Sequence, residues 1–393
     1  MRTSWLARTA SGAALTLALV GLTGVPSYAE DVPVGAGATT LTLSGHGYGH
    51  GRGMSQYGAK GAAAQGLGWA QIVGFYYPGT QLGEARGPIR VQLTAATKRS
   101  LTVDARAGLR LQRLAGGRGY RLDRLRPAAT RWKLVAHGER TRVRFETSGR
   151  WRTLRTVRGP AQVSAGGEPV TLRLPDGAAA AYRGALRAVA GPSGPVTLNV
   201  LPLETYLRGV VPAEVPATWP AAAVQAQAVA ARTYAAWERA AATGAVADTC
   251  DTTSCQVYRG VAAEHPAADA AVSATRRQVV TYQGAPAFTQ FSSSNGGFSA
   301  AGSAPYLVAQ ADPYESSSAN PNASWSATVA RSAVEQAWPQ LGRLTRVSVV
   351  RDAGGRRATS LTLVGTAGSV TVSADDVRTR FGLRSTWFAL SAG

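Results

Sequence analysis

The stretch Leu201–Trp237, LPLETYLRGVVPAEVPATWPAAAVQAQAVAARTYAAW, decides how the rest of the chain is read. Near its middle Glu214 stands among Val210, Val211, Pro212, Val215, Pro216 and Trp219. Apolar surroundings disfavour the charged form of a carboxyl and push its pKa upward, and a carboxyl kept partly protonated can donate a proton. After it, Thr218 is placed to cap a helix and Pro220 suits a first helical turn, so the Ala-rich run is expected to be helical to about Ala241. On that helix Gln225 and Arg232 share a face with Ala221, Ala228 and Ala235. Such a small-residue stripe lets another group approach closely while Arg232 holds an anion. The same residues permit a plainer reading: a solvated glutamate ahead of a helix, a solvent-facing arginine, and alanines packed on a sheet.

Toward the N-terminus, Thr39–Ser44 alternates as a strand and runs into residues 45–59, GHGYGHGRGMSQYGA. Glycine at every second position cannot build a helix or bury a strand; it makes a loop with accessible amides from which His46, Tyr48 and His50 project. A helix is expected from near Met54 and a second over Trp69–Tyr77, stopped by Pro78-Gly79. No G-K-[ST] follows the glycines, which removes a nucleotide-phosphate loop. For the two histidines, loop bracing or sugar contact ranks ahead of proton transfer.

Both stretches resemble the SpoIID/LytB (stage II sporulation protein D) family. Glu214, Pro216, Trp219, Ala226, Gln227, Ala228, Arg232, Thr233 and Tyr234 match its first motif, with Val215 in place of a methionine. His50, Met54, Ser55, Gln56 and Tyr57 match its second, followed by Ile72, Tyr76, Tyr77, Pro78, Gly79 and Thr80. A third match is Cys255-Gln256-Val257-Tyr258-Arg259-Gly260. In Ser292-Ser293-Ser294-Asn295-Gly296-Gly297, Ser292 stands where many members carry a histidine. The segment with Arg378, Leu383, Arg384, Ser385 and Phe388 resembles the part that normally precedes the glycine motif. That order is a circular permutation, which predicts Trp387–Leu390 beside Thr39–Ser44.

The resemblance implies an α+β fold, with a catalytic core of mixed sheet plus helices and an inserted β-rich domain. The expected layout is a signal over 1–29, a segment completing the core over 30–84, a basic β insertion over 85–165 and the catalytic domain over 166–393. It implies lytic transglycosylase action on peptidoglycan glycan strands freed of stem peptides. Glu214 would be the single acid and base and Arg232 its support. Candidates for substrate binding are His46, His50, Ser55, Gln56, Tyr57, Gln225, Gln227, Tyr258, Ser293 and Asn295. A glycosidase that uses water needs two carboxylates; the matching segment offers one. The LytB side of the family implies a different class, a wall-binding enhancer of a partner amidase. Glu204 also matches, but reads as structural in its turn between strand and helix.

Composition bounds the setting. The chain has 393 residues and a net charge of +20. Arg2 and Arg8, an apolar run from Ala10 to Val25 and Ser27-Tyr28-Ala29 read as an export signal. No second apolar run is long enough to span a bilayer, so the mature chain is expected outside the cytoplasm, secreted or wall-associated, without a transmembrane segment. The charge favours anionic wall polymers as partners, although an Arg-rich composition can equally reflect codon bias. No aromatic-interleaved basic motif points to nucleic acid. Cys250 and Cys255 read most simply as a short-loop disulfide in an exported chain. The alternative, suggested by zinc in some relatives, joins both thiolates to His265. No other cofactor is expected. From Glu84 to Pro195 the chain alternates as strands with few carboxylates, and His137 stands alone as a structural side chain.

Overall fold

In the computed structural model, which describes residues 29–97, 100–116, 119–317 and 319–393, the alternating segments between 88 and 202 form two sheets. The export signal, save its last residue, lies outside the described residues. One sheet has the strand order Arg150–Arg158, Arg140–Thr147, Arg131–His137, Leu101–Asp104, Val170–Arg173, Ala179–Tyr182. The other runs Thr249–Cys250, Pro88–Gln92, Gly194–Pro202, Ala185–Gly191, Ala161–Ser164, Arg110–Arg113, Tyr120–Arg121. Period-two alternation puts Leu101, Val103, Trp132, Leu134 and Val143 from the first against Ile89, Val91, Leu111, Val163 and Leu186 from the second, in one core. His137 is exposed at a strand end.

Strands on either side of residue 165 share these sheets: Ala161–Ser164 lies between Arg110–Arg113 and Ala185–Gly191, and Val170–Arg173 pairs with Leu101–Asp104. The β unit therefore runs from Pro88 to Pro202, and the boundary expected at 165 falls inside it. The alternating stretch Ala179–Gly191 divides into two strands, Ala179–Tyr182 and Ala185–Gly191. Gly184, at φ +77°, lets the chain leave one sheet and enter the other.

Gly194–Pro202 leads into a helix, Leu203–Glu214, where only a turn was expected. Leu203, Tyr206, Leu207, Val210 and Val211 recur at helical spacing and are buried. Pro212 in its last turn, which lacks an N–H, obscures that period. Ala221–Ala241 follows, starting after Pro220, with Thr218 exposed and making no cap. Its alanines are small because both flanks are packed. Val224, Ala228, Ala231 and Ala235 face the β unit, while Ala226, Val229 and Ala230 face a second core with Ile72, Tyr76 and Tyr77. The stripe serves close approach of two protein layers rather than of a ligand.

Gln56–Ala64 and Trp69–Tyr76 are the expected N-terminal helices. Gln278–Tyr282 lies between Gln81–Glu84 and the two residues Ala285–Pro286, after which the chain turns away and Phe291–Ser292 pairs in parallel with Met54–Ser55. A third core lies under the sheet Ala29–Pro33, Leu344–Arg351, Ala358–Gly365, Ser369–Ser373. The first described strand, Ala29–Pro33, pairs antiparallel with Leu344–Arg351. Thr40–Gly45 lies between Trp325–Ala330 and Phe388–Ala392, with Leu43 opposite Leu390, as the segment order predicts. The fold is α+β. Among the described residues no helix is long and apolar enough to cross a membrane.

Candidate functional site

Glu214 is the last residue of the Leu203–Glu214 helix, at the carbonyl end, where a negative charge is least welcome. Its Oε1 accepts the Val257 N–H at 3.1 Å, and the Gln56 amide hydrogen-bonds the same carboxyl. Both contacts favour the anion, yet burial outweighs them and raises the pKa above the ordinary 4.5; no cation is among the groups that shift it. The carboxyl opens on a cleft of about 300 Å³ lined also by His50, Tyr234, Ser254, Cys255, Val257 and Phe291. The far N-terminal loop and the stretch around Glu214 therefore meet.

The glycine loop is drawn tight to the 290s. Gly49 and Gly51 have φ of +101° and +72°; a Cβ on Gly49 would lie 2.9 Å from Ser292 Cβ, and one on Gly51 2.2 Å from Arg357 Nη2. His50 Nδ1 accepts the Arg52 N–H at 2.9 Å, which leaves Nε2 to carry the proton of the neutral ring. Burial first, then the charges of Arg52, Arg357 and Arg378, lower its pKa to about 4. At neutral pH His50 is therefore a hydrogen-bond donor without charge. Ser292 Oγ accepts the Gly51 N–H at 3.2 Å, so the serine in the histidine's place braces the loop.

Other candidates are spread between cleft and frame. Gln56 Nε2 lies 3.4 Å from Gln227 Oε1, and Gln227, 1% exposed, leaves its own Nε2 unpaired. The two amides back the Glu214 carboxyl. Tyr57 packs on Trp219 with ring centres 5.0 Å apart, and Lys60 Nζ stands 5.5 Å from each ring. His46 points away from the cleft: its Nδ1 is 2.8 Å from the Ala323 carbonyl and its ring is 5.2 Å from Trp387. Gln225 is half-buried on the long helix.

Several expectations need correction. Arg232, expected to support Glu214, is 0% exposed and grips Glu204 through Nε at 3.0 Å and Nη2 at 2.9 Å. Its other N–H groups meet the Val272 and Gln278 carbonyls. Spacing fixed its face of the helix, but the partner across that face is an acid ten residues ahead of Glu214. Tyr258, expected at substrate, is buried against Tyr206 and Tyr182 and donates to Asn199 Oδ1 at 2.7 Å. Ser55 and Asn295 are 0% exposed. Ser55 caps the Gln56–Ala64 helix and bonds Glu315, while Asn295 donates to Asp312 at 2.8 Å. Ser293 meets Asn322 through its hydroxyl and Tyr57 through its carbonyl.

Sequence reasoning missed the buried acids Asp312 and Glu315, which tie Ser55, Ser294, Asn295 and Tyr76 together beneath the glycine loop. Nothing in ADPYES marks them. Cys250 and Cys255 form a disulfide, Cα atoms 5.5 Å apart, whose loop makes one wall of the cleft. His265 is engaged elsewhere, its Nδ1 accepting the Ala267 N–H at the start of the Pro266–Ala274 helix, so these three are not gathered as a ligand set.

Residues 193–282 match the family model SpoIID, described as Stage II sporulation protein. Over 131 residues the chain is 37% identical to a Bacillus subtilis (strain 168) protein named Amidase enhancer, covering 32% of this chain and 17% of that one. Over 117 residues it is 36% identical to an uncharacterized protein of Brachyspira hyodysenteriae, covering 30% of this chain and 32% of the other. The alignments thus span a minor part of each relative. The SpoIID recognition stands for the segment that carries Glu204, Glu214, Arg232 and the disulfide; the glycine loop lies ahead of it.

Proposed function

We propose that this is an exported, cell-wall-associated protein that cleaves peptidoglycan glycan strands as a lytic transglycosylase, with Glu214 as acid and base. The observation that carries the reading is a lone, cation-free carboxyl of raised pKa in a cleft whose other described walls hold no second carboxylate. A hydrolytic pair has nowhere to stand, whereas an intramolecular displacement needs one group. Glu214 gives its proton to the glycosidic oxygen as the C1–O bond breaks. The resulting carboxylate takes the proton of the muramic C6 hydroxyl as that oxygen bonds to C1, which restores the acid and leaves a 1,6-anhydro end without consuming water. Neutral His50 donates a hydrogen bond to sugar or leaving group and carries no proton between them. Proton transfer of this kind contributes on the order of a hundredfold to ten-thousandfold in rate.

The segment order reads as a circular permutation, supported by the pairing of Leu43 with Leu390. The exposed Arg140, Arg142, Arg150, Arg152 and Arg155 of the β unit are read as a contact for anionic wall polymer. The second reading, a non-catalytic enhancer of a partner amidase, draws on the name of the Bacillus subtilis relative. Digestion of amidase-treated glycan strands with the mature protein, followed by mass spectrometry, separates the two. Anhydromuramic ends are expected from wild type and not from Glu214→Gln. No such ends from wild type, with faster wall lysis when an amidase is added, would favour the enhancer.

A further inference from the structure

Among the described residues three arginines lie almost wholly buried: Arg232, Arg331 and Arg357, at 0%, 6% and 5% exposure. The first two are matched by glutamates, Glu204 at 2.9 Å and Glu335 at 2.9 Å, with backbone carbonyls on their remaining nitrogens. Arg357 differs. Its Nη2 donates to the Asn295 carbonyl at 2.8 Å, its Cζ lies 5.7 Å from the Trp387 ring, and its buried Nη1 has no partner. Among the described ion pairs it has none. A buried cation held without an ion pair is costly, and burial lowers its pKa to about 10 against the attraction of Asp352, Glu315 and Asp375. The fold nevertheless makes room for it: only a glycine at position 51 leaves space for its guanidinium.

Arg357 lies in the wall of a second cleft, about 370 Å³, between the glycine loop and the C-terminal sheet. Arg52, Arg356, Phe298 and Asp352 share that wall, and so does His50, which also lines the Glu214 cleft. The His50 ring is thus a common boundary of both spaces. Arg356 is fixed over Phe298 at 3.7 Å, its N–H held by Asp352 at 2.9 Å. Asp375, at the rim, is paired with Arg378 at 3.1 Å. The cleft therefore carries a cationic excess, while Asp352 within it repels a second negative charge.

We infer that this second cleft is a subsite for one carboxylate of a ligand that also occupies the Glu214 cleft, with Arg357 supplying the buried charge and Arg52 and Arg356 the rim. On the glycan reading, on which this identity rests, the carboxylate is the lactyl group of a muramic residue bound across His50 from the bond that is cut. The subsite accepts that group free and excludes it when a stem peptide has converted it to an amide. Arg52, Arg356 and Arg357 act as specificity residues, remote from the proton transfer.

The test is calorimetric binding to the mature chain carrying Glu214→Gln, so that nothing turns over. The probes are peptide-free glycan oligomers, the same oligomers as methyl esters, and poly(glycerol phosphate). Esterification is expected to weaken binding about tenfold, as loss of a charge-assisted contact should. Adding Arg356→Gln, or Arg357→Met, should shrink that penalty below about threefold. Should Arg357→Met fail to fold, Arg356→Gln at the rim carries the test alone. Esters that bind as well as acids, or a penalty that survives both variants, would overturn the subsite. Displacement of the oligomers by poly(glycerol phosphate), dependent on Arg356, would assign the cleft to a phosphodiester and overturn the carboxylate. The outcome is separable from the enzymatic reading: an intact ester penalty in a protein whose wild type makes no anhydro ends keeps the subsite and removes the cleavage.

Discussion

Glu204 and Glu214 open and close the same helix and meet opposite surroundings. Glu204 accepts two N–H groups of Arg232 and the Arg277 N–H at 3.0 Å, which leaves its carboxylate saturated with donors. Glu214 has two neutral donors, no cation and a cleft in front of it. Two acids of one motif thus differ: one holds the long helix to the start of the Gln278–Tyr282 strand, the other faces a cleft without a cation. Matching a motif does not distinguish them; the charge of the neighbour does.

The largest expected contrast is in turnover. Glu214→Gln should lower release of anhydromuramic ends by a hundredfold to ten-thousandfold with an unchanged circular dichroism spectrum. Glu204→Gln should keep activity per folded molecule within about threefold. A reversal of that pattern would exchange the two roles. Stability should sort the other way. Glu204→Gln strands the buried Arg232 and should cost about 3–5 kcal/mol in urea unfolding. Glu214→Gln should be neutral or slightly stabilising at neutral pH, because a carboxyl with a raised folded pKa stabilises the fold at low pH and loses that contribution as pH rises through that pKa.

A smaller effect belongs to the disulfide wall of the Glu214 cleft. Replacing both Cys250 and Cys255 by serine should cost on the order of 2 kcal/mol, since the closed loop is short. It should also slow turnover, because Cys255 lines the Glu214 cleft and not the Glu204 ion pair. The last concerns His50. Its pKa falls from 6.5 to about 4 on folding, so its contribution is present above 6.5 and is lost as pH falls toward 4. The urea midpoint of wild type should decline over that window more steeply than that of His50→Gln; equal slopes would mean that the ring is exposed.

Much of this was legible before any coordinates. The apolar neighbours of Glu214 gave the burial contribution to its pKa but not the net direction, because Arg232 was expected beside it as an opposing charge; the Ala-rich run gave the long helix to its last residue, and the alternation gave most strands. The two motifs resembling one family required His50 and Glu214 to be neighbours without showing that they are; their shared cleft is a finding of the fold. What stayed hidden depends on the third dimension. Pro212 masked the helix that ends in Glu214. A position on a helical face told what Arg232 shares a side with, but not that Glu204 lies across from it. Tyr258, Ser55 and Asn295 belong to motif segments as frame rather than as contacts, and a motif records both alike. Arg357 has no neighbouring pattern at all; only the missing partner at its Nη1 marks it.

The central claim is that Glu214 holds its proton at a pH where an ordinary glutamate has lost it. Infrared difference titration of the mature protein against Glu214→Gln reads this directly, through the carbonyl band of a single protonated carboxyl. That band should persist above pH 4.5, the ordinary value. A band that vanishes at or below pH 4.5 would contradict the claim and leave the cleft without its acid.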